Sequence, residues 1–528
     1  MKRGEIAGNF TRGAFYLGIE KGVAMVSTLL YTALMARWLG PHNYGMLTVA
    51  FSVVTLATAF TGNFEMFLER YAAEYQMHGR HHTLRRAFLT ALGLKLVLGL
   101  LACAGLFALT SWLAEFYRIE ELKVLVPLLT VFVATDGLAT TGRAVLFGLQ
   151  RFEWVSGLSL IFNVGKTLLV GGLWLSGQGL VALAVGFSTL AALQALVTFV
   201  ATEAVLRRAR REAGAAVLAP EPESGLLRAM FAYCMPLYGA RLSFLSGQNL
   251  GKLVLGKVLD PAALGLFTFA FQTVERFVEL AHTVPNSLLP SLTQLVTHGD
   301  RERLRYVTDQ AFRLIQLMAC MLSFVLFVFA PELVRVVGSS LFVPAVPLLR
   351  ILALVPIART AQQPLTMLFQ AMRQPGYVFG LAALKLFAEV AGYFLLLLPM
   401  GAAGAAYANL GGAVASFVGA LMFAAVLIPE GAEERLGAVL RNLFLLGPGL
   451  LLTVFAEREM GVLGSLPIRL FLVVPAVVGT FALGLITRYD LDKLAQLALP
   501  GTRLPKVRDS VVSVADRLAR VFEIGRTA

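Results

Sequence analysis

Residues 36–50 read ARWLGPHNYGMLTVA, and residues 256–270 read GKVLDPAALGLFTFA. At an offset of 220 positions, Arg37 meets Lys257, Leu39 meets Leu259, Pro41 meets Pro261, Gly45 meets Gly265, Thr48 meets Thr268, Ala50 meets Ala270 and Phe51 meets Phe271. The offset returns one loop later, where HGRHHTLR (78–85) and HGDRERLR (298–305) share His, Gly, Leu and Arg in register. Further on, LFGLQR (146–151) and LFQAMR (368–373) align at 222, one short indel away. Registers that agree across an intervening apolar run mark a duplicated unit. In each copy the Pro-x-x-x-Gly element falls in a very short connection. Proline cannot continue a helix and glycine permits tight reversal or close packing, so the element reads as structural.

What is duplicated follows from composition. The 528 residues are 57% hydrophobic and only 15% charged, with a mean hydropathy of +0.74, whereas charge in soluble domains approaches about a quarter. Apolar runs recur near 14–35, 44–65, 87–110, 122–146, 155–175, 180–203, 229–254, 264–285, 311–331, 344–369, 376–398, 403–428, 438–456 and 466–487. Runs of about 20 residues cross a hydrocarbon core of roughly 30 Å as helices, and these alternate too poorly for barrel strands. The expected fold is an all-α polytopic membrane protein of 14 spans, with two six-helix bundles in parallel repeat and two C-terminal helices. Six spans per copy is an even number, so both copies share one orientation. The expected organisation is a first bundle over 1–206, a linker over 207–228, a second bundle over 229–430, spans thirteen and fourteen within 431–488, and a tail over 489–528. Glu20 and Lys21 interrupt the first run and no small-x-small cleavage site follows, so that run is expected to stay in the protein.

Charge orients the spans. With the N-terminus inside, the loops on its side carry 29 Lys and Arg and the opposite loops carry six: Arg37, Arg118, Lys123, Lys257, Arg335 and Arg458. This positive-inside bias places both termini in the cytoplasm. In the tail, Val507, Val511, Val514, Leu518 and Val521 recur at helical spacing between Arg and Asp residues. They read either as an amphipathic surface helix held by anionic membrane lipids or as a solvated helix.

Ten bases remain within or at the edges of spans: Lys21, Lys95, Lys166, Arg241, Lys252, Arg276, Arg350, Arg359, Lys385 and Arg469. Their acidic companions are Glu20, Glu65, Glu69, Asp136, Glu275, Glu279 and Glu389. Each costs about 2.5–3.5 kcal/mol at a helix centre, so they should face a watery or protein-lined interior that is cationic. Lys21 and Arg241 are again 220 apart, on the first span of each copy. They are the leading candidates for a substrate site, with Arg276, Arg350 and Arg359; the alternative is pairing with Glu20 or Glu275. Arg350 and Arg359 are nine residues apart, about 13.5 Å of helix, enough to reach different parts of one large ligand. For Glu20, Asp136, Glu275 and Glu389 two roles stay open, ion coupling and charge compensation. Asn163 offers neutral hydrogen bonds to a sugar or to another helix.

No G-x-x-x-x-G-K-[ST] or H-E-x-x-H pattern occurs, and FNVGKT (162–167) lacks the spacing of a phosphate loop. Cys103, Cys234 and Cys320 lie inside apolar runs without metal-ligand spacing, and His78, His81 and His82 sit in a basic loop. No metal, cofactor or enzymatic activity is expected. The net charge of +13 belongs to membrane topology rather than to nucleic acid.

On these features the chain resembles the polysaccharide transporter family of the MOP (multidrug, oligosaccharidyl-lipid, polysaccharide) superfamily, which contains O-antigen and related lipid-linked oligosaccharide flippases. The resemblance covers about residues 8–495 and rests on LYTALMARWLGPHNYGMLTVAFSVV (30–54), ERYAAEY (69–75), KLVLGKVLDPAALGLFTFAFQTVERF (252–277), PELVRVVGSSLFVPAVPLLRILAL (331–354) and the span count. It implies a MATE-like fold of two bundles around a cleft that opens alternately to either side of a bacterial or archaeal cell membrane. It also implies movement of a polyprenyl-diphosphate glycan from the cytoplasmic to the outer leaflet, with cavity bases meeting the diphosphate. Partners on this view are the lipid-linked glycan, H+ or Na+, and a glycan polymerase or glycosyltransferase. The drug-exporting branch relies on cavity acids, whereas bases predominate here. A multidrug or small-molecule exporter and a non-transporting membrane scaffold are the two other readings.

Overall fold

The protein is described by a computed structural model over residues 3–213, 225–282 and 288–472. The tail helix expected at 507–521 and most of the last expected span lie outside the described residues. Packing divides the chain into two compact units, Met1–Phe269 with Arg335–Phe342, and Ala270–Val334 with Val343–Ala528. Among the described residues nine helical stretches are long and apolar enough to cross a membrane, fewer than the fourteen spans expected.

The first unit contains α1 (Arg3–Thr58), α2 (Glu65–Met77), α3 (His81–Tyr117), α4 (Leu122–Gly148), α5 (Phe152–Leu175), α6 (Leu180–Ala213) and α7 (Leu226–Val258). The central helix is α4, with α3 and α6 against it, while α1 packs chiefly on α5. Helix α1 is not one rod. At Gly40 the backbone turns left-handed (φ 68°, ψ 174°) and Pro41 follows, so the chain changes course in the quoted stretch. A buried cluster of Phe67, Leu68, Phe88, Val145 and Met230 joins α2, α3, α4 and α7. The first helix of the second copy, α7, thus packs into the first unit.

Helix α8 (Pro261–Ala281) begins in the first unit and continues into the second. The second unit goes on through α9 (Leu288–His298), α10 (Arg301–Val328), α11 (Ala330–Val337), α12 (Val346–Leu352), α13 (Val355–Arg359), α14 (Gln363–Ala371), α15 (Pro375–Leu427) and α16 (Ala432–Gly464). Helix α10 packs against α16, and α15 covers α12 and α13. The 53 residues of α15 correspond to about 80 Å of helix, more than twice a membrane core of roughly 30 Å. They break at Gly401 (φ 55°), just after Pro399.

The count of nine covers the described residues alone, which leave out most of the last expected span; the way the helices are built lowers it further. Two of the nine stretches, at 42 and 53 residues, are long broken rods. Helix α8, of 21 residues, reaches a spanning length but carries Glu275, Arg276 and Glu279 close together. The stretch expected as one span at 344–369 is among the nine, within Ser340–Ala371, but it is built as a series of short helices, interrupted where Pro347, Pro356 and Pro364 withhold backbone donors. The straight helical rise of about 13.5 Å expected between Arg350 and Arg359 is accordingly not what separates them.

The repeat is visible in backbone shape. Gly79 and Gly299, 220 apart, both adopt left-handed conformations, with φ of 67° and 73°.

Candidate functional site

The two quoted stretches lie against one another within the first unit. A Cβ placed on Gly45 would stand 1.8 Å from the carbonyl oxygen of Pro261, and one on Gly265 would stand 1.9 Å from that of Pro41. Each glycine is thus the seat of the other copy's proline carbonyl. The Pro-x-x-x-Gly spacing supplies both halves of the contact, a carbonyl at the start and a bare Cα one turn on.

The flanking bases repeat this exchange. Arg37 donates from Nη2 to the Val336 carbonyl at 2.6 Å and from Nε to that of Gly338 at 2.9 Å. Lys257 donates to the Phe116 carbonyl, and its ammonium lies 4.3 Å from the centre of the Phe116 ring. Residue 257 is 220 beyond 37, and residue 336 is 220 beyond 116. Equivalent donors therefore hold equivalent carbonyls, each on a segment of the other copy. Edge-on packing of Tyr44 against Phe342, with ring centres 6.1 Å apart, completes the clasp. This interlock explains why Arg335–Phe342 packs with the first unit although its neighbours in sequence belong to the second.

Elsewhere in the first unit, a polar seam joins α1 to α5. Ser159 donates to Glu20 at 2.5 Å, Ser27 donates to the Asn163 carbonyl at 2.8 Å, and Thr167 donates to the Ser27 carbonyl at 3.0 Å. The side-chain amide of Asn163 bonds within its own helix, to the Ser159 carbonyl at 2.9 Å. Lys21, next to Glu20, is exposed. Arg241 lies on α7; its side chain is outside the described structure. Asp136 is half-buried on α4. Lys95, fully buried, pairs with Glu65 at 2.5 Å and donates to Thr140 at 2.9 Å.

In the second unit, Arg359 pairs with Glu275, and Arg276 pairs with Glu279 at 2.9 Å, one turn along α8. Arg350 reaches Glu457 at 2.5 Å. Glu457 also faces the fully buried Arg469 at 3.3 Å, which in turn meets Glu332 at 2.7 Å. Buried Glu389 accepts from Tyr393 at 2.7 Å and Asn409 at 2.9 Å, and lies 3.4 Å from Lys385. Ion pairing does not use every donor. Among the described residues the Nε groups of Arg276 and Arg350 are buried and lack an acceptor.

Sequence reasoning named the bases but missed Glu332 and Glu457. Both were read outside the spans, and no periodicity links residues more than a hundred positions apart. Within the second unit the structure brings Arg350 to Glu457 and Arg359 to Glu275, so these two candidates are bases with carboxylate partners rather than bare cations. Among the described residues no group of three or more His, Cys, Asp or Glu is placed to hold a metal ion.

The sequence matches the model of a family described as "Polysaccharide biosynthesis protein" over residues 34–347, more than half of the chain. The chain belongs to this family. Its fold is shared with solved structures. It resembles one described as "Lipid II flippase MurJ, inward closed conformation", with 14% identity, a TM-score of 0.61 and coverage of 89% of this chain and 98% of that one. A second is the inward-facing conformation of a multidrug resistance MATE family transporter of the MOP superfamily, with 14% identity, a TM-score of 0.56 and coverage of 81% and 98%. No curated protein sequence matches the chain.

Proposed function

We propose that this member of the family is a flippase, carrying a polyprenyl-diphosphate-linked oligosaccharide or a related anionic glycolipid from the cytoplasmic to the outer leaflet by alternating access. The proposal includes fourteen spans in two parallel six-helix bundles and both termini in the cytoplasm. The family and the fold support the class of transporter. The observation that carries the choice of an anionic cargo is the set of bases on membrane helices: exposed Lys21, with Arg276, Arg350 and Arg359. A diphosphate offers charged acceptor oxygens for which such donors are suited. Lys21 and Arg241 are assigned first contact with it, and Arg276, Arg350 and Arg359 further contacts; Glu275 and Glu457 keep Arg359 and Arg350 positioned.

In this orientation the clasp lies on the outer face. Two of the six bases on that side, Arg37 and Lys257, are then engaged by carbonyls that must be released before cargo leaves. Binding moves nothing unless it favours one conformer over the other by a few kcal/mol. The drive is either an H+ or Na+ gradient, with Glu20, Asp136 and Glu389 as candidate coupling carboxylates, or the substrate's own gradient.

The test is leaflet-resolved translocation of a labelled polyprenyl-diphosphate glycan by purified protein in liposomes, with and without ion gradients. Lys21→Glu and Arg241→Glu are each expected to slow translocation by at least about tenfold, since reversal turns an attraction for the diphosphate into a repulsion. An unchanged rate in both variants contradicts their role. Failure of the wild-type protein to translocate under any gradient contradicts the flippase reading itself.

A further inference from the structure

The first unit contains a second basic site that the transport reading does not use. At the start of α3 and the end of α6 a cavity of about 800 Å³ is lined by His81, His82, Arg85, Arg86, Arg207 and Arg210, with Leu89 and Leu206 among its apolar walls. Glu203, only 5% exposed, organises one side of it. Its carboxylate receives Arg85 Nε at 3.1 Å and lies 3.4 Å from Arg207 Nε. This single acid offsets one of four guanidinium groups. Among the described residues Arg86 and Arg210 make no hydrogen bond or ion pair, so their charge is available to a ligand. No side chain caps the α3 N-terminus at the cavity, which adds the partial positive charge of a helix start.

The surfaces leading away from this cavity distinguish a lipid from a soluble anion. On α3, Leu96 and Leu100 follow Leu89 at seven and eleven residues and are 37% and 55% exposed. On α6, Val200 and Leu196 precede Arg207 by the same steps and are 57% and 58% exposed. Steps of seven and eleven return to one helix face. Each helix therefore carries an exposed apolar stripe running from the basic cavity along a membrane-spanning segment. A phosphate on a hydrocarbon tail satisfies both parts; a free phosphate satisfies only the first.

We infer that the cavity between the start of α3 and the end of α6 binds the phosphate headgroup of an anionic membrane lipid, with its acyl chains along the two apolar stripes. Basic pockets between helices at one membrane face have this chemistry. The ligand holds these two helix ends together by bridging Arg86 on α3 and Arg210 on α6, while Glu203 holds Arg85 and Arg207 apart from it. The site is distinct from the residues assigned to cargo, so it stands or falls separately from the flippase reading.

Native mass spectrometry of the full-length protein, titrated with phosphatidylglycerol or phosphatidylcholine, tests this. The expected result is one tightly held phosphatidylglycerol, with phosphatidylcholine bound at least about tenfold more weakly. Each lost arginine near a membrane surface weakens anion attraction about fivefold. The double variant Arg86→Ala/Arg210→Ala is therefore expected to lower phosphatidylglycerol affinity by tenfold or more. Both side chains are exposed and, among the described residues, unpaired, so folding is expected to survive. Arg301→Ala/Arg303→Ala, in another basic connection, leaves this binding unchanged, and inorganic phosphate at equal concentration does not displace the lipid. Wild-type affinity in Arg86→Ala/Arg210→Ala overturns the assignment. So does equal binding of phosphatidylcholine, or displacement by inorganic phosphate alone.

Discussion

Gly45→Ala is expected to destabilise the protein by about 3 kcal/mol or more, read as a lower thermal midpoint in detergent, and Gly265→Ala by a similar amount. Overpacking costs about 1–3 kcal/mol where side chains can shift. Here the obstacle is the backbone, with the new methyl carbon 1.8 Å from the Pro261 oxygen in one case and 1.9 Å from the Pro41 oxygen in the other. The only relief is for the two segments to part. Once one substitution has separated them, the second meets less resistance, so the double variant should cost clearly less than the sum of the two. Additive losses would mean that the glycines do not share one contact. A midpoint within about 1 °C of wild type in either single variant would contradict the close approach itself.

Lys95→Met is expected to cost about 3–5 kcal/mol, because it leaves the Glu65 carboxylate buried without its cation. Lys95 is fully buried and its partner's side chain only 8% exposed, at 2.5 Å. Water therefore cannot replace the lost partner. Methionine preserves most of the length of the stem and removes the charge, which isolates electrostatics from packing. Adding Glu65→Leu to Lys95→Met should recover most of the loss, since an apolar pair of similar volume pays no desolvation. The check is a double-mutant cycle on thermal midpoints. If the double variant is as unstable as the sum of the singles, packing rather than the ion pair holds α2 to α3.

Much of this architecture was legible in the sequence because a few residue types carry strong constraints. Hydropathy pointed to an all-α membrane protein, in which nine helical stretches among the described residues are long and apolar enough to cross, and the 220-residue register picks out Gly45 and Gly265. What the register could not say is that equivalent residues hold each other's neighbourhoods. A repeat gives correspondence, whereas the crossed pairs Arg37–Val336 and Lys257–Phe116 are matters of three-dimensional exchange. Proline decides what apolarity alone does not. Pro347, Pro356 and Pro364 were all in view, yet apolarity suggested one straight span where the chain forms short pieces. The embedded bases were legible as well, because charge in an apolar run stands out. The partners of Arg469 and Arg350 were not, because Glu332 and Glu457 look like ordinary loop acids until the fold brings these bases to them. Arg85, Arg86, Arg207 and Arg210 counted only toward topology in sequence; the ends of α3 and α6 had to meet before they formed one cavity.

The most direct test of the account couples the clasp to transport. In protein whose Cys103, Cys234 and Cys320 are replaced by alanine, Arg37→Cys and Gly338→Cys can be bridged by a short reversible thiol cross-linker and the leaflet of a labelled polyprenyl-diphosphate glycan followed in liposomes. The account predicts that the unbridged protein moves the glycan to the opposite leaflet, that bridging stops it, and that cleaving the linker restores it. Translocation at the same rate with the clasp bridged would contradict the account.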